Sequence, residues 1–135
     1  PLTLITFVQE QKEKLLKRLE KYFKNSDAKM TRERYFKMCE QLNKEPDPDE
    51  IPPDMEDFPE IAVQALNTFS SLGDRLIPDI GYMGKDFTNL PYYIEFYGVE
   101  DKQLFLEILT WLESRAIDRS HESMKREREK LKRKK

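Results

Sequence analysis

Residues 104–112 read Leu-Phe-Leu-Glu-Ile-Leu-Thr-Trp-Leu, a strongly apolar run in the last third of the chain. Its apolar residues recur every three or four positions, and Ile117 continues the same stripe. That spacing is typical of an α-helix with one broad buried face. Because no Gly or Pro interrupts the sequence between 100 and 132, we predict one helix over that range. Such a helix would be about 50 Å long, so its last turns should project from a small domain.

The end of this helix is strongly basic. Residues 125–135 hold eight basic and two acidic side chains, a net charge of +6, although the whole chain of 135 residues carries only −2. We interpret 122–135 as a basic helical tail that contacts nucleic-acid phosphates, an acidic protein, the acidic part of its own chain, or solvent alone. Because it has no aromatic residue for base stacking, any nucleic-acid contact should be nonspecific. The candidate phosphate contacts are Lys125, Arg126, Arg128, Lys130, Lys132 and Arg133.

Helical spacing recurs in four earlier segments, and no segment shows the sustained alternation that is typical of a strand. We therefore predict an all-α fold, a small helical domain of about five helices with a long projecting C-terminal helix. The expected helices cover 3–24, 31–43, 58–72, 88–97 and 100–132.

Capping residues mark several of these helix ends. Thr31 should cap the second helix, Asp57 the third and Thr88 the fourth, because their side-chain oxygens can accept hydrogen bonds from the first free N–H groups. Gly98 should end the fourth helix, since glycine readily adopts the left-handed conformation that closes a helix.

The first helix carries an apolar stripe that two arrangements explain. The stripe contains Ile5, Val8, Leu15, Leu19 and Tyr22 at helical spacing. Either this face packs against the rest of the chain, or it pairs with a second copy as a coiled coil. In the second arrangement, Leu15, Leu19 and Tyr22 are the self-association residues of a homo-oligomer.

Between the second and third helices the composition changes. Residues 45–60 contain eight acidic side chains, five prolines and no basic residue. Since proline excludes helix and like charges repel, we predict an extended, acidic, Pro-rich linker over 45–57. Ile51, Met55 and Phe58 could pin this linker to the domain.

Residues 73–87 form an irregular apolar stretch with three of the four glycines of the chain. Its Gly81-Tyr-Met-Gly-Lys85 run does not fit a phosphate-binding loop, which needs four residues between its glycines and a Ser or Thr after the lysine. We therefore predict a packed loop or, alternatively, an exposed recognition loop. The candidate partner-binding residues in this loop and the helix after it are Tyr82, Met83, Phe87, Tyr92 and Tyr93.

The sequence contains no set of residues that indicates catalysis. Cys39, the single cysteine, lies by an apolar helix face with no histidine nearby in the sequence, and His121 lies in the polar tail. Asp118 shares a helical face with His121, but a third metal ligand at suitable spacing is missing. We therefore predict no enzyme, no metal site and no cofactor. The lack of any run of about 18 apolar residues predicts no membrane span, and one free thiol fits a reducing cytosol.

Several runs within 30–135 carry a resemblance to known proteins. They are Met30-Thr-Arg-Glu-Arg-Tyr, Cys39-Glu-Gln-Leu, Ile51-Pro-Pro-Asp-Met-Glu-Asp-Phe-Pro, Leu72-Gly-Asp-Arg, Gly81-Tyr-Met-Gly-Lys-Asp-Phe and Val99-Glu-Asp-Lys. In these runs the chain resembles small, mostly uncharacterised proteins of tailed bacteriophages. Its order of helix, Gly-containing loop, short helix and helix is also similar to that of phage tail-assembly chaperones.

The chaperone resemblance implies a non-enzymatic, mainly helical protein. Such a protein binds the long tape-measure protein in the host cytoplasm and keeps it soluble during tail assembly. The alternative role is a structural virion component, such as a neck or head-completion protein, or a packaging-associated protein that contacts nucleic acid nonspecifically through the basic tail.

The expected organisation has three parts. Residues 1–29 form an amphipathic helix outside the resemblance. They would be an extension of a shorter form if Met30 were itself a start site. Residues 30–121 form the helical domain, which includes the acidic linker, and residues 122–135 form the basic tail.

Overall fold

The computed structural model describes residues 2–134, with their side chains except those of residues 2–5 and of Phe7. The predicted place of Ile5 in the first apolar stripe therefore lies outside the described side chains. In chain order, the elements are α1 Leu2–Asp27, α2 Arg32–Gln41, a 3-10 helix Met55–Asp57, α3 Glu60–Ser71, β1 Asp74–Ile77, β2 Gly81–Lys85, α4 Leu90–Tyr97 and α5 Lys102–Arg133.

The chain forms two compact units. One unit ends at Pro59 and the other begins at Glu60. The divisions expected from the sequence, after residue 29 and after residue 121, stay predictions.

The first unit is built on α1 and α2. Leu15 and Leu19 of α1 are buried, as are Tyr35 and Cys39 of α2. Thr31 caps α2 as predicted, because its hydroxyl oxygen accepts a hydrogen bond of 3.1 Å from the N–H three residues on. Leu15 and Leu19 are thus covered within a single chain, and self-association through this stripe stays a prediction.

The acidic segment that the sequence predicts as an extended linker is attached to α2 by hydrogen bonds. The N–H of Asp47 donates a 3.0 Å hydrogen bond to the hydroxyl of Tyr35. The guanidinium of Arg32 donates a 2.8 Å hydrogen bond to the carbonyl of Pro52, and it also pairs with Asp57. The prolines remove backbone donors but keep their carbonyls, so an arginine on the neighbouring helix can hold the segment in place.

Asp57 does not cap α3, contrary to the sequence-based prediction. It is the last residue of the 3-10 helix, and its carboxylate accepts a 3.0 Å hydrogen bond from the N–H of Asp54. That hydrogen bond holds the pKa of Asp57 below its ordinary value, against the opposite effect of burial and with help from the charges of Arg32 and Arg18. The carboxylate is therefore already engaged before the chain enters α3 at Glu60.

Phe58 pins the acidic segment, as its apolar side chain predicts. It is buried, and its ring meets that of Tyr22 edge-on at a centroid distance of 5.7 Å. The guanidinium of Arg18 lies 5.3 Å from the centroid of the same ring. Ile51 and Met55 are only half-buried.

The core of the second unit lies between α3 and α5. The buried residues of α3 are small (Ala62, Ala65 and Thr68), which lets the large side chains of α5 approach closely. Trp111, which belongs to the apolar run 104–112, is half-buried because it lies beside the buried row of α5 rather than in it. The members of that row are Phe105, Ile108, Leu109 and Leu112.

A β-hairpin replaces the loop predicted over 73–87, so the fold is mostly helical rather than all-α. Strands β1 and β2 pair in antiparallel fashion, with Leu76 opposite Tyr82 and Ile77 opposite Gly81. The hairpin packs on α5. The physical reason for the error is that every residue of β1 is exposed, so its sequence lacks the alternation of buried and exposed residues by which strands are recognised.

The ends of α4 and α5 largely follow the predicted capping. Gly98 closes α4 with a φ of 61°, as expected. The helix begins at Leu90, however, after an N-cap at Asn89 rather than Thr88. Asp101 caps α5, whose 32 residues confirm the predicted long C-terminal helix of roughly 50 Å.

Candidate protein-binding surface

The side of α4 that carries Tyr92 and Phe96 is an exposed aromatic face. Tyr92 is 65% exposed and Phe96 is 69% exposed. Their rings stack at a centroid distance of 6.2 Å and an interplanar angle of 18°. Residues four apart lie on one side of a helix, so the backbone itself sets this pair in place.

Two further aromatic rings flank the pair. Tyr93 meets Tyr92 edge-on at 5.3 Å, and Tyr97 meets Phe96 edge-on at 5.2 Å. Such contacts fix the ring orientations before any partner binds, which lowers the conformational entropy lost on binding.

The two ends of α4 are anchored while its middle stays open. Leu90 is buried at the start, and Val99 is buried just beyond the end. The N–H of Val99 donates a 3.1 Å hydrogen bond to the carbonyl of Ile94 across the left-handed Gly98. The left-handed Gly98 and this hydrogen bond end the helix and place Val99 in an apolar contact.

The hairpin exposes a second group of large apolar side chains. Leu76 is 70% exposed, and Ile77, Ile80 and Met83 are also exposed. Aliphatic side chains on both sides of one tight turn are costly to leave in water unless another molecule covers them. The hairpin is therefore the second element of the candidate surface.

Two close approaches hold the hairpin against α5. The N–H of Lys85 donates a 2.8 Å hydrogen bond to Oε2 of Glu113. A Cβ atom added at Gly84 would lie 2.8 Å from that same oxygen, and one at Gly81 would lie 2.5 Å from the sulfur of Met124. Gly84 and Gly81 also have positive φ values, 111° and 107°. The close contacts and the backbone conformation therefore both require glycine at these positions.

Lys85 is used inside the second unit. It is 9% exposed, and its ammonium lies 2.7 Å from Oδ1 of Asp74. It also donates a 3.2 Å hydrogen bond to the carbonyl of Leu72 and lies 4.5 Å from the ring centroid of Phe69. With three contacts already made, this ammonium cannot serve a phosphate, in agreement with the packed interpretation of the Gly-Tyr-Met-Gly-Lys run.

Tyr82 turns its polar end inward. The side chain is half-buried, and its hydroxyl is buried without a hydrogen-bond partner among the described residues. Burial raises the pKa of this phenol, and the negative charges of Asp74 and Glu113 raise it further. The hydroxyl of Tyr82 is therefore not available to a partner on an exposed surface.

The structure separates the five predicted partner-binding residues into two groups. Tyr92 and Tyr93 are in contact on α4, whereas Met83 is an exposed residue of the hairpin. Phe87 is half-buried just after β2. The prediction missed Phe96, although its position four residues after Tyr92 was a usable signal. It also missed Leu76, Ile77 and Ile80. These three apolar residues lie on either side of Pro78-Asp79, a pair typical of a turn, and that position was a second signal.

The other predicted interaction residues lie outside this surface. Leu15 and Leu19 are buried, and Tyr22 is half-buried. All six candidate phosphate contacts are exposed on the last turns of α5: Lys125, Arg126, Arg128, Lys130, Lys132 and Arg133.

The potential metal ligands within residues 2–134 are dispersed. Within that range, no three His, Cys, Asp or Glu residues are grouped closely enough to hold a metal ion. Cys39 is buried, as predicted, and His121 is exposed. None of the described helices is long and apolar enough to cross a membrane.

Comparison with protein-family models, curated proteins and solved structures finds no match to this chain.

Proposed function

We propose that the chain is a non-enzymatic assembly factor of a tailed bacteriophage that works through protein–protein contacts in the host cytoplasm. Its role is that of a tail-assembly chaperone, which covers an apolar segment of a tape-measure-like protein until the tail is built. The resemblance carried by residues 30–135 supports the phage origin. The observation that carries the binding role is the exposed stacked pair of Tyr92 and Phe96 on α4.

The physical case starts from what it costs to expose these side chains. Single exposed apolar residues are ordinary, but a stacked aromatic pair and a hairpin with four exposed apolar residues concentrate this surface on one unit. Aromatic residues are enriched at protein interfaces, where they fill pockets with little loss of conformational freedom. A long apolar client segment would aggregate if left uncovered, and this surface offers it matching chemistry.

The test is co-expression of the chain with the tape-measure-like protein encoded in the same phage genome. We expect the chain to raise the soluble fraction of the client and to co-purify with it. The double variant Tyr92→Ala/Phe96→Ala should lose at least about tenfold in binding, since each ring acts as an interface anchor.

A matched control is available in the first unit. Phe36 of α2 is also exposed, so Phe36→Ala removes a ring of the same kind outside the proposed surface. This variant should bind the client as the unmodified chain does. Equal solubility of the client with and without the chain would reject the chaperone role, and equal loss in both variants would reject the surface.

A further inference from the structure

The last turns of α5 extend beyond the contacts of the second unit. Met124 lies against Gly81 of the hairpin, and it is half-buried. Every residue from 125 to 134 is exposed. The helix therefore continues for roughly 15 Å past the hairpin contact with its full circumference open to solvent.

This exposed helical end is a concentrated positive charge. The ten residues 125–134 include seven lysines and arginines and two glutamates. Within the described part of the chain, Arg126 alone among these cations pairs with a carboxylate, that of Glu122 at 3.6 Å. Both partners of that pair are largely exposed, so the pair does little to offset the charge.

The cations lie on two sides of the helix instead of forming one stripe. At about 100° of rotation per residue, Lys125, Arg128 and Lys132 share one side, and Arg126, Lys130 and Arg133 share another. The gap between them falls along the line of Met124, Glu127 and Leu131, which continues the side that faces the hairpin. A flat acidic surface could engage only one side of such a helix.

The major groove of double-stranded DNA presents phosphates on both sides of an inserted helix. It is about 12 Å wide and admits an α-helix, so cations on opposite sides can reach opposite strands. The segment has no aromatic residue and no Asn or Gln, so it lacks the side chains that stack on bases or read adenine. In an RNA duplex the corresponding groove is deep and narrow, which excludes the same arrangement.

We propose that residues 125–134 bind double-stranded DNA without sequence preference, by contacting the phosphates that border the major groove. This inference goes beyond the protein-binding role, and it uses a different part of the second unit. The affinity should arise from the release of counterions, so it should depend steeply on salt.

The experiment measures fluorescence anisotropy of a labelled random duplex of about 20 base pairs, titrated with the full chain at several salt concentrations. With about five phosphate contacts, the Kd should rise roughly 500-fold between about 50 and 200 mM salt. The triple variant Lys130→Gln/Lys132→Gln/Arg133→Gln should raise the Kd at least about tenfold. It should also reduce the slope of log Kd against log salt concentration by the amount expected for about three phosphate contacts.

The matched control places the same charge change on α1, as Lys14→Gln/Lys17→Gln/Lys24→Gln. All three of these lysines are exposed, and the control should bind as the unmodified chain does. Equal weakening in both triple variants, or a Kd that is insensitive to salt, would overturn the proposal. If an RNA duplex bound equally well, the proposed binding in the major groove would be wrong. If polyglutamate competed more strongly than unlabelled DNA, the partner of the segment would be an acidic protein instead.

Discussion

Glu113 on α5 accepts a 2.8 Å hydrogen bond from the backbone N–H of Lys85 in β2, so a helix carboxylate serves as the partner of a strand amide. A Cβ atom added at Gly84 would lie 2.8 Å from the same oxygen. The hairpin is therefore fixed to the helix through its backbone, and its outward side chains remain available for other contacts.

Loss of the Glu113 carboxylate should loosen the hairpin. We expect Glu113→Ala to lower the free energy of unfolding by about 1–3 kcal/mol, because the N–H of the buried Lys85 loses its carboxylate acceptor. Glu113→Gln keeps an acceptor oxygen and should cost clearly less. Denaturant titration followed by circular dichroism measures both, and equal losses in the two variants would mean that the hydrogen bond contributes nothing specific.

Substitution of Gly84 tests the close approach from the other side. Gly84→Ala should destabilise the chain by about 1–3 kcal/mol, because a left-handed backbone and a 2.8 Å contact with Glu113 both oppose a Cβ atom. Gly73→Ala is the control, since nothing lies within 4 Å of its added Cβ. Thermal melting should separate the two variants, and similar melting temperatures would contradict the packing of β2 on α5.

The first unit should lose stability in acid through Asp57. Its pKa is lowered in the folded chain, first by the hydrogen bond from Asp54 and then by Arg32 and Arg18, so the folded state prefers the charged form. That contribution is complete above the unfolded pKa near 4 and is lost as the pH falls through the lowered folded value. We expect the stability difference between the unmodified chain and Asp57→Asn to stay constant from pH 6 to about pH 5 and to shrink from there to pH 3 in urea titrations. A difference that stays constant over this range would remove Asp57 from the acid response.

Removing a ring from the aromatic face should cost much less stability than removing a ring from the core. Phe96→Ala should change the free energy of unfolding by no more than about 0.5 kcal/mol, because the ring is mostly in solvent. Phe105→Ala should cost about 3–5 kcal/mol, because that ring is fully buried. A large loss for Phe96→Ala in denaturant titration would mean that the ring supports the fold and is no free anchor.

The hairpin contact sets the point beyond which the C-terminal helix can be removed. A chain that ends at Met124 should unfold at nearly the same denaturant concentration as the full chain, because residues 125–134 are exposed. A chain that ends at His121 also loses the contact of Met124 with Gly81 and should be less stable by about 1–2 kcal/mol. Equal midpoints for the two truncated chains would show that Met124 contributes no packing energy.

The helices could be predicted because each one repeats its apolar residues at a regular spacing. Ile108 and Leu112 mark the buried side of α5, and Thr31 and Gly98 mark helix ends by their own backbone chemistry. These signals depend only on residues near one another in the chain, so they can be recognised from the sequence alone.

The remaining features depend on contacts between residues far apart in the chain. β1 is exposed throughout, so the pairing of Leu76 with Tyr82 leaves no periodic pattern to read. Likewise, Arg32 holds the acidic segment through Pro52, and nothing in the composition of that segment indicates which arginine would do so. In the candidate surface, Tyr92 was identifiable by its type, but its exposure depends on which side of α4 the rest of the unit covers.

The two compact units each enclose one reactive side chain, and this gives the molecule two built-in chemical reporters. Cys39 is the single thiol of the chain and is buried in the first unit, whereas the amine of Lys85 is enclosed in the second. Thiol-specific reagents can reach Cys39 only when the first unit opens, and acylating reagents can reach Lys85 only when its ammonium leaves Asp74, Leu72 and Phe69. The opening of each unit can therefore be timed separately in one unlabelled sample by mass spectrometry.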